Sequence, residues 1–518
     1  MVTGYVTAWA RGDVAQMYSL LDAGSKRRTS EARFAGDLRA AAATATVTSM
    51  RPVRVASRSG NSILVRMQVR TRLWGPLRET LTVPLSGSGS AARIRFSGAL
   101  LFPGLRRGEH LSRLIELPPR GTLLASDGTP LAQGPGRTSP IPDVAGQLVG
   151  TLGPIPSDQA AHYAAQGYPV GAKVGLDGLE RVFESRLEGT PGGQLLAGRR
   201  VLASAQPVQA PPVTTTISPA LERTAVAAMG GQYAGITVMN PRTGAVLALA
   251  GIAFSNLQPP GSTMKIVTVS GALQAGIVNP GSVFPIQTSA TLDGFSLQNA
   301  GGEACGGTLL NAFAVSCNSV FAPLGAKLGG ARLVSIAERF GFNQPSTIPG
   351  AAEPTIPPAS AIGDDLAVGS SAIGQGLVQS TSLGMADVAA TIAMGGRRPI
   401  PTLLAHQPPS FVRVVSGHVA REVQKMMIAV VDYGTGTAAQ IPGVVVAGKT
   451  GTAELRNTTD PNNPNAGSPA NTDAWFVGYA PAGHPRFVVG ALFPNQGAGG
   501  AAAAPPVHDI LATALGSG

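Results

Sequence analysis

Lysine is scarce in this 518-residue chain: of 39 lysine and arginine residues only six are lysine, Lys26, Lys173, Lys265, Lys327, Lys425 and Lys449. Charge of either sign is low as well, 13 % of residues against roughly 25 % in an average soluble domain. With 44 % hydrophobic residues and a mean hydropathy of +0.17, wholesale disorder is excluded. The 2 cysteines and 6 scattered histidines form neither a His-Glu-x-x-His nor a Cys-x-x-Cys pattern, so no metal is expected, and no cofactor. Aromatics are only 5 %, no RNP-like motif occurs, and basic residues never run beyond two or three together, which argues against nucleic acid as a partner. No stretch approaches the roughly 18 apolar residues of a transmembrane helix, and residues 1–20 lack a signal-peptide layout.

What is present is a turn-rich, basic chain. The 67 glycines and 42 prolines stay below the level of a low-complexity sequence, and the net charge is +11. That charge suits an anionic membrane or wall surface better than nucleic acid. The length predicts two to four domains. In residues 1–102 helical periodicity through Val6, Trp9, Ala10, Val14, Met17 and Leu20 and a second stretch near 30–43 give way to alternation in Ile63–Arg70. Two helices on an antiparallel sheet are expected there, with strands near 51–57, 63–70, 77–84 and 91–97. Residues 103–210 are loop-rich, with helical stretches near 157–166 and 177–187. Residues 211–518 mix helices with strands at 236–239, 245–250, 444–448, 474–479 and 486–493. The fold class is multidomain α+β.

Three short motifs carry the chemistry. In Ser262-Thr263-Met264-Lys265 the three-residue step puts hydroxyl and ammonium on one helix face. Serine is a weak nucleophile until a base takes its proton, and a desolvated lysine can be that base. Ser316-Cys317-Asn318 lies in an apolar helical run, where the serine can relay protons and the amide can hold a carbonyl. Lys449-Thr450-Gly451-Thr452 follows the apolar Val444–Ala447 and places a cation and hydroxyls on a strand, with a glycine for close substrate approach. Each alone also fits a bland reading: a surface Ser-x-x-Lys, a satisfied helix turn, a solvated strand-edge lysine. Their order and spacing together are far more specific.

Ser-x-x-Lys, Ser-x-Asn and Lys-Thr-Gly are the signature of the penicillin-recognising serine enzymes, and the chain resembles the class B penicillin-binding proteins. Pro260–Lys265 is similar to the family's Pro-Gly-Ser-Thr-Phe-Lys, with Met264 in place of Phe. Ile373-Gly374-Gln375-Gly376, Gly434–Ala438, Ala447–Glu454 and Ala474–Tyr479 follow the family pattern too, as do Pro119-Arg120-Gly121 and Gly175–Glu180 upstream. The resemblance implies an NTF2-like domain of the MecA type in 1–102, a dimerisation or pedestal domain in 103–210 and a transpeptidase domain in 211–518. It implies a serine D,D-transpeptidase that cross-links peptidoglycan stem peptides, releases D-Ala and is acylated by β-lactams. Ser262 would be the nucleophile, Lys265 its base, and Ser316 with Lys449 the proton path to the leaving group. Asn318, Thr450, Gly451 and Thr452 would bind substrate, with Lys449 on its carboxylate and the Ser262 and Thr452 amides as oxyanion hole.

The alternatives are a β-lactamase or D,D-carboxypeptidase, and a non-catalytic cell-wall scaffold. Two domains ahead of the catalytic one and the lack of a Glu-x-x-Leu-Asn segment argue against a β-lactamase; the intact Ser262, Lys265 and Lys449 argue against a scaffold. No segment resembles a glycosyltransferase, so a separate membrane polymerase is the expected partner. The family implies the extracytoplasmic face of the cell membrane, with an anchor expected upstream of Met1. Cys305 and Cys317 are either a disulfide or two buried thiols. Trp475 is expected in the core, and Arg120 with Glu180 is expected to hold the pedestal together.

Overall fold

The computed structural model describes residues 1–455, 468 and 471–516, and it mixes helices with antiparallel sheets as expected. The chain opens with four helices, Val2–Arg11, Val14–Ser19, Ala23–Arg28 and Glu31–Thr44, where periodicity predicts two. The first apolar stretch is broken because Gly12 ends one helix in the left-handed region at φ 74°. Asp13 then caps the next by accepting from the Gln16 amide. The strands Val47–Ser59, Ser62–Thr71, Gly75–Ser86 and Arg93–Ile94 pair in chain order. Alternation in Ser62–Thr71 sends Val65, Met67 and Val69 inward and leaves Arg66 and Arg70 exposed. The last strand is shorter than predicted because the Phe96 amide leaves the sheet to donate to Ser25 Oγ.

This unit docks on a three-stranded sheet of Leu111–Glu116, Gly192–Ala197 and Arg200–Ala205. Trp74 Nε1 donates to Gly193 O at 3.2 Å. Leu73, Leu77, Phe102 and Leu105 share a core with Leu195 and Ala197 across the junction. Beside it, the Arg120 guanidinium reaches Glu180 at 2.8 Å and Glu184 at 2.7 Å, and the second Glu180 oxygen takes Arg137 at 2.5 Å. Glu180 is fully buried, so this cluster ties the Pro119-Arg120-Gly121 segment to helix Gly178–Val182 as the sequence suggests.

The large sheet that follows has the order Ala245–Gly251, Gly235–Asn240, Phe487–Phe493, Thr472–Ala480, Ala447–Glu454, antiparallel throughout. Helices cover both faces. Val488 and Leu492 belong to one core with helix Ser382–Ala393, while Val489, Ala491 and Phe493 belong to the other with helices Pro219–Ala228 and Ala504–Leu515. Burial on both sides explains why these strands read as unbroken apolar runs. Trp475 is fully buried, a core residue. The edge strand Ala447–Glu454 leaves one side free of sheet pairing, and the third motif sits on it. No single described helix is long and apolar enough to cross a membrane.

Removing one member of a buried ion cluster strands the others in low dielectric, at about 3–5 kcal/mol. Glu180→Ala is therefore expected to lower the melting temperature by several degrees in a calorimetric scan. Asp143→Ala, which breaks the exposed Arg223–Asp143 pair, is expected to leave it unchanged.

Candidate active site

Ser262 lies in a short 3-10 turn, Gly261–Met264, that runs into helix Lys265–Gln274. Gly261 has φ +52°, and a Cβ there would stand 2.9 Å from Thr452 O and 3.0 Å from Ala453 N. Glycine is required because the turn is pressed onto the edge strand. On the other side the Gly261 amide donates to Gly374 O at 2.9 Å. The nucleophile's turn is thus clamped between the Lys-Thr-Gly strand and the Gly374-Gln375-Gly376 loop. Ser262 faces a cavity of about 480 Å³ that Ser316, Asn318, Thr450 and Thr452 also line. The first two motifs and the strand hydroxyls therefore converge.

Lys265 and Lys449 meet at Ser316, and both are fully buried. Lys265 Nζ donates to Ser316 O at 2.7 Å, Ser316 Oγ at 3.2 Å and Asn318 Oδ1 at 2.7 Å. Lys449 Nζ reaches the same Ser316 Oγ at 2.9 Å and Thr450 O at 3.0 Å. Among the described residues neither lysine has a carboxylate partner. Burial pushes Lys265 well below the ordinary lysine range, and the neighbouring Lys449 charge adds to it. Burial lowers Lys449 to about 7. Partial compensation comes from two aromatic faces, Phe321 at 5.6 Å from Lys265 Nζ and Phe313 at 5.6 Å from Lys449 Nζ. Those rings pack edge-on at 5.8 Å.

Ser316 is not inside a helix, as the apolar run suggests. It sits in the break between Leu309–Ala314 and Asn318–Leu328, with φ 63°. This left-handed residue turns its hydroxyl and carbonyl together onto the two ammonium groups. Cys317 is joined to Cys305 by a disulfide with Cα atoms 5.8 Å apart, which settles the alternative left open by sequence. The bridge pins the residue between Ser316 and Asn318. Asn318 is held at both ends, since its Nδ2 donates to Gln298 O at 3.0 Å.

Gly451 is placed differently from the cavity-lining residues. A Cβ there would meet Pro260 O and Trp475 Cβ at 2.8 Å and Thr263 Cγ2 at 3.0 Å, so its lack of a side chain lets the strand close on the nucleophile's turn. The cavity has walls that the three motifs do not name: Asn299, Gly301, Glu303, Gln375, Thr435, Glu454, Gly500 and Ala501. Thr435 Oγ1 lies 2.5 Å from Thr450 Oγ1. The Gln375 amide, oriented to satisfy both ends, donates to Glu454 O at 3.2 Å and accepts from Glu454 N at 3.0 Å. The Gly-Gln-Gly and Gly-Thr-Gly segments were the available signals for Gln375 and Thr435. Residues such as Gly500 and Ala501 carry no chemistry that could announce them.

Residues 234–512 match the family model of the penicillin binding protein transpeptidase domain, and residues 130–200 match that of the penicillin-binding protein dimerisation domain. The chain belongs to the penicillin-binding protein transpeptidases. It is 32 % identical over 412 residues to the peptidoglycan D,D-transpeptidase PbpA of Mycolicibacterium smegmatis, covering 66 % of this chain and 80 % of that protein. It is 36 % identical over 291 residues to PbpA of Mycobacterium tuberculosis, covering 51 % of this chain and 56 % of that relative's length. The crystal structure of the penicillin G acyl-enzyme of penicillin-binding protein A from M. tuberculosis aligns with TM-score 0.61 and 27 % identity, over 76 % of this chain and 99 % of that one.

In this penicillin-binding protein the disulfide closes a short loop around the Ser316 turn, a constraint of about 3 kcal/mol for a loop of that size. The double variant Cys305→Ser/Cys317→Ser is expected to melt at lower temperature and to exchange the amides of 315–318 faster. Unchanged exchange there in a folded variant would show that the turn holds itself.

Proposed function

We propose that this chain is a peptidoglycan D,D-transpeptidase that joins stem peptides through an acyl-enzyme on Ser262. The observation that carries the reading is that Ser262 and Ser316 line one cavity, and that the Ser316 hydroxyl is shared by two buried lysines with no carboxylate partner among the described residues. Relatives carrying the transpeptidase name and a neighbour captured as a penicillin G acyl-enzyme support it.

In the first half-reaction Lys265, in its amine form, takes the Ser262 proton as Oγ bonds to the carbonyl carbon of the penultimate D-Ala. The carbonyl oxygen becomes an oxyanion held by the backbone N–H groups of Ser262 and Thr452, each such donor contributing about 3–4 kcal/mol. Collapse breaks the C–N bond, and a proton passed through Ser316 and Lys449 lets the terminal D-Ala leave as an amine. Lys449, Thr450 and Thr452 hold the terminal carboxylate, Asn318 orients the donor peptide, and Gly451 lets the strand close on the turn that carries Ser262. An amine of a neighbouring stem then attacks the ester, loses its proton to the same lysine–serine path, and forms the cross-link as Ser262 regains its proton. β-Lactams resemble the D-Ala-D-Ala end and stop at the ester.

The same reading takes residues 1–102 as an NTF2-like spacer, 103–210 as the dimerisation or pedestal unit and 211–518 as the transpeptidase unit. Its place is the extracytoplasmic face of the cell membrane, beside a membrane polymerase that supplies glycan strands.

Fluorescent penicillin is expected to label the wild-type chain stably and to leave Ser262→Ala unlabelled. Label lost within minutes would favour a β-lactamase, and label on the alanine variant would remove Ser262 as nucleophile. The acid limb of the acylation rate should fall well below pH 10.5, the usual lysine value, because Lys265 must be neutral to accept the proton. Removing the adjacent charge with Lys449→Gln makes the protonated form of Lys265 less costly, so the limb should move to higher pH. An unmoved limb would show that the two lysines are not coupled.

A further inference from the structure

The positive charge of the chain is not spread evenly. Residues 1–102 hold fifteen of its 39 basic residues and only five of its 28 acidic ones, a net +10 of the chain's total +11. The rest of the chain is close to neutral.

Much of that charge is gathered on one face of the first sheet, on the side opposite its buried core. The register Ser49–Arg70–Pro76, Arg51–Gln68–Arg78 and Arg54–Arg66–Thr80 places these rows side by side on the outer face. Five guanidinium groups, those of Arg51, Arg54, Arg66, Arg70 and Arg78, stand exposed there. Arg54 lies directly opposite Arg66, a like-charged cross-strand pair that weakens a sheet and does nothing for the fold. Among the described residues none of the five forms an ion pair. Arg51 is steadied by Gln68 Oε1, at 3.0 Å from Nε and 2.8 Å from Nη2. The nearby carboxylate, Glu79, also borders the groove between these arginines. Its register partner is the buried Met67, and it packs under Gly104 on the opposite side. One apolar side chain lies beside the basic array on the edge strand, Val53 at 62 % exposure, bordering the same groove as Arg51, Arg66 and Arg78.

We propose that this arginine face docks on an anionic lipid bilayer, holding the first unit flat against the membrane surface. The array extends in two dimensions, with two arginines on each of the first two strands and one on the third. A plane of headgroup phosphates can meet all of it at once, whereas a single extended polyanion would track one row. Guanidinium forks match phosphate oxygens, and an exposed valine beside basic groups suits the boundary between headgroups and acyl chains.

The test is sedimentation of the full chain with vesicles of phosphatidylglycerol and phosphatidylcholine, against vesicles of phosphatidylcholine alone. Binding is expected only with the anionic lipid and should weaken as salt is raised. The variant Arg54→Gln/Arg66→Gln/Arg70→Gln/Arg78→Gln should bind about 600-fold more weakly, since each basic residue near such a surface contributes roughly fivefold. Arg107→Gln/Arg199→Gln/Arg332→Gln/Arg421→Gln, which removes the same charge from exposed positions elsewhere, should bind as the wild type does. Circular dichroism and a melting scan of each variant report that the first unit is folded, independently of the membrane result. Equal loss in both variants, binding to the neutral vesicles, or polyphosphate displacing the chain at equal phosphate would each overturn the proposal, the last in favour of a soluble polyanion.

Discussion

Two lysine side chains buried around one serine hydroxyl, with no carboxylate partner among the described residues, are the constraint on which the rest of this site depends. Removing an ammonium ion from water is costly, and a neighbouring ammonium adds to the cost. The protein meets this by letting the protons go. Lys449 is lowered to about 7 from an ordinary 10.5, so between those values the unfolded chain holds a proton that the folded chain lacks. Stability at this residue therefore rises with pH across that window, and its full cost is felt below it. The same displacement is what makes an amine available to a serine at neutral pH.

The surrounding architecture serves to keep these groups in place. Phe313 and Phe321 each present a ring face to one lysine, and they pack on each other. The left-handed backbone at Ser316 and the Cys305–Cys317 bridge on the following residue aim the shared hydroxyl. The edge strand brings Lys449 from the opposite side, and Gly261 and Gly451 allow that strand to close on the nucleophile's turn. Helices on both faces of the sheet leave its edge as the place where a substrate strand can lie.

Much of this was legible in the sequence, for reasons that can be stated. Ser262 and Lys265 are three residues apart, so any helical turn puts them on one face. Lys449 follows an apolar run whose strand character survives in Ala447–Glu454. Alternation in the first unit marked its inward and outward residues in Ser62–Thr71. The break at Ser316 was not visible, because a three-residue pattern in an apolar run carries no sign of a left-handed residue. The same holds for the split at Gly12, where helical periodicity continues on both sides of the cap. Gly451 looked like an opening for substrate, and only its packing against Pro260 and Trp475 shows what its missing side chain accommodates. The pairing of the two cysteines needed the fold.

The scarcity of lysine makes the central claim directly measurable. With six lysines in the chain, amine nitrogen resonances of a protein labelled with ¹⁵N-lysine can be assigned by single substitutions and followed against pH. The account predicts two signals apart from the rest: Lys449 changing near pH 7, and Lys265 changing well below the ordinary lysine range while the exposed lysines stay protonated. If both remain ammonium ions up to pH 10, the buried pair is not deprotonated by its surroundings and Lys265 is not the base.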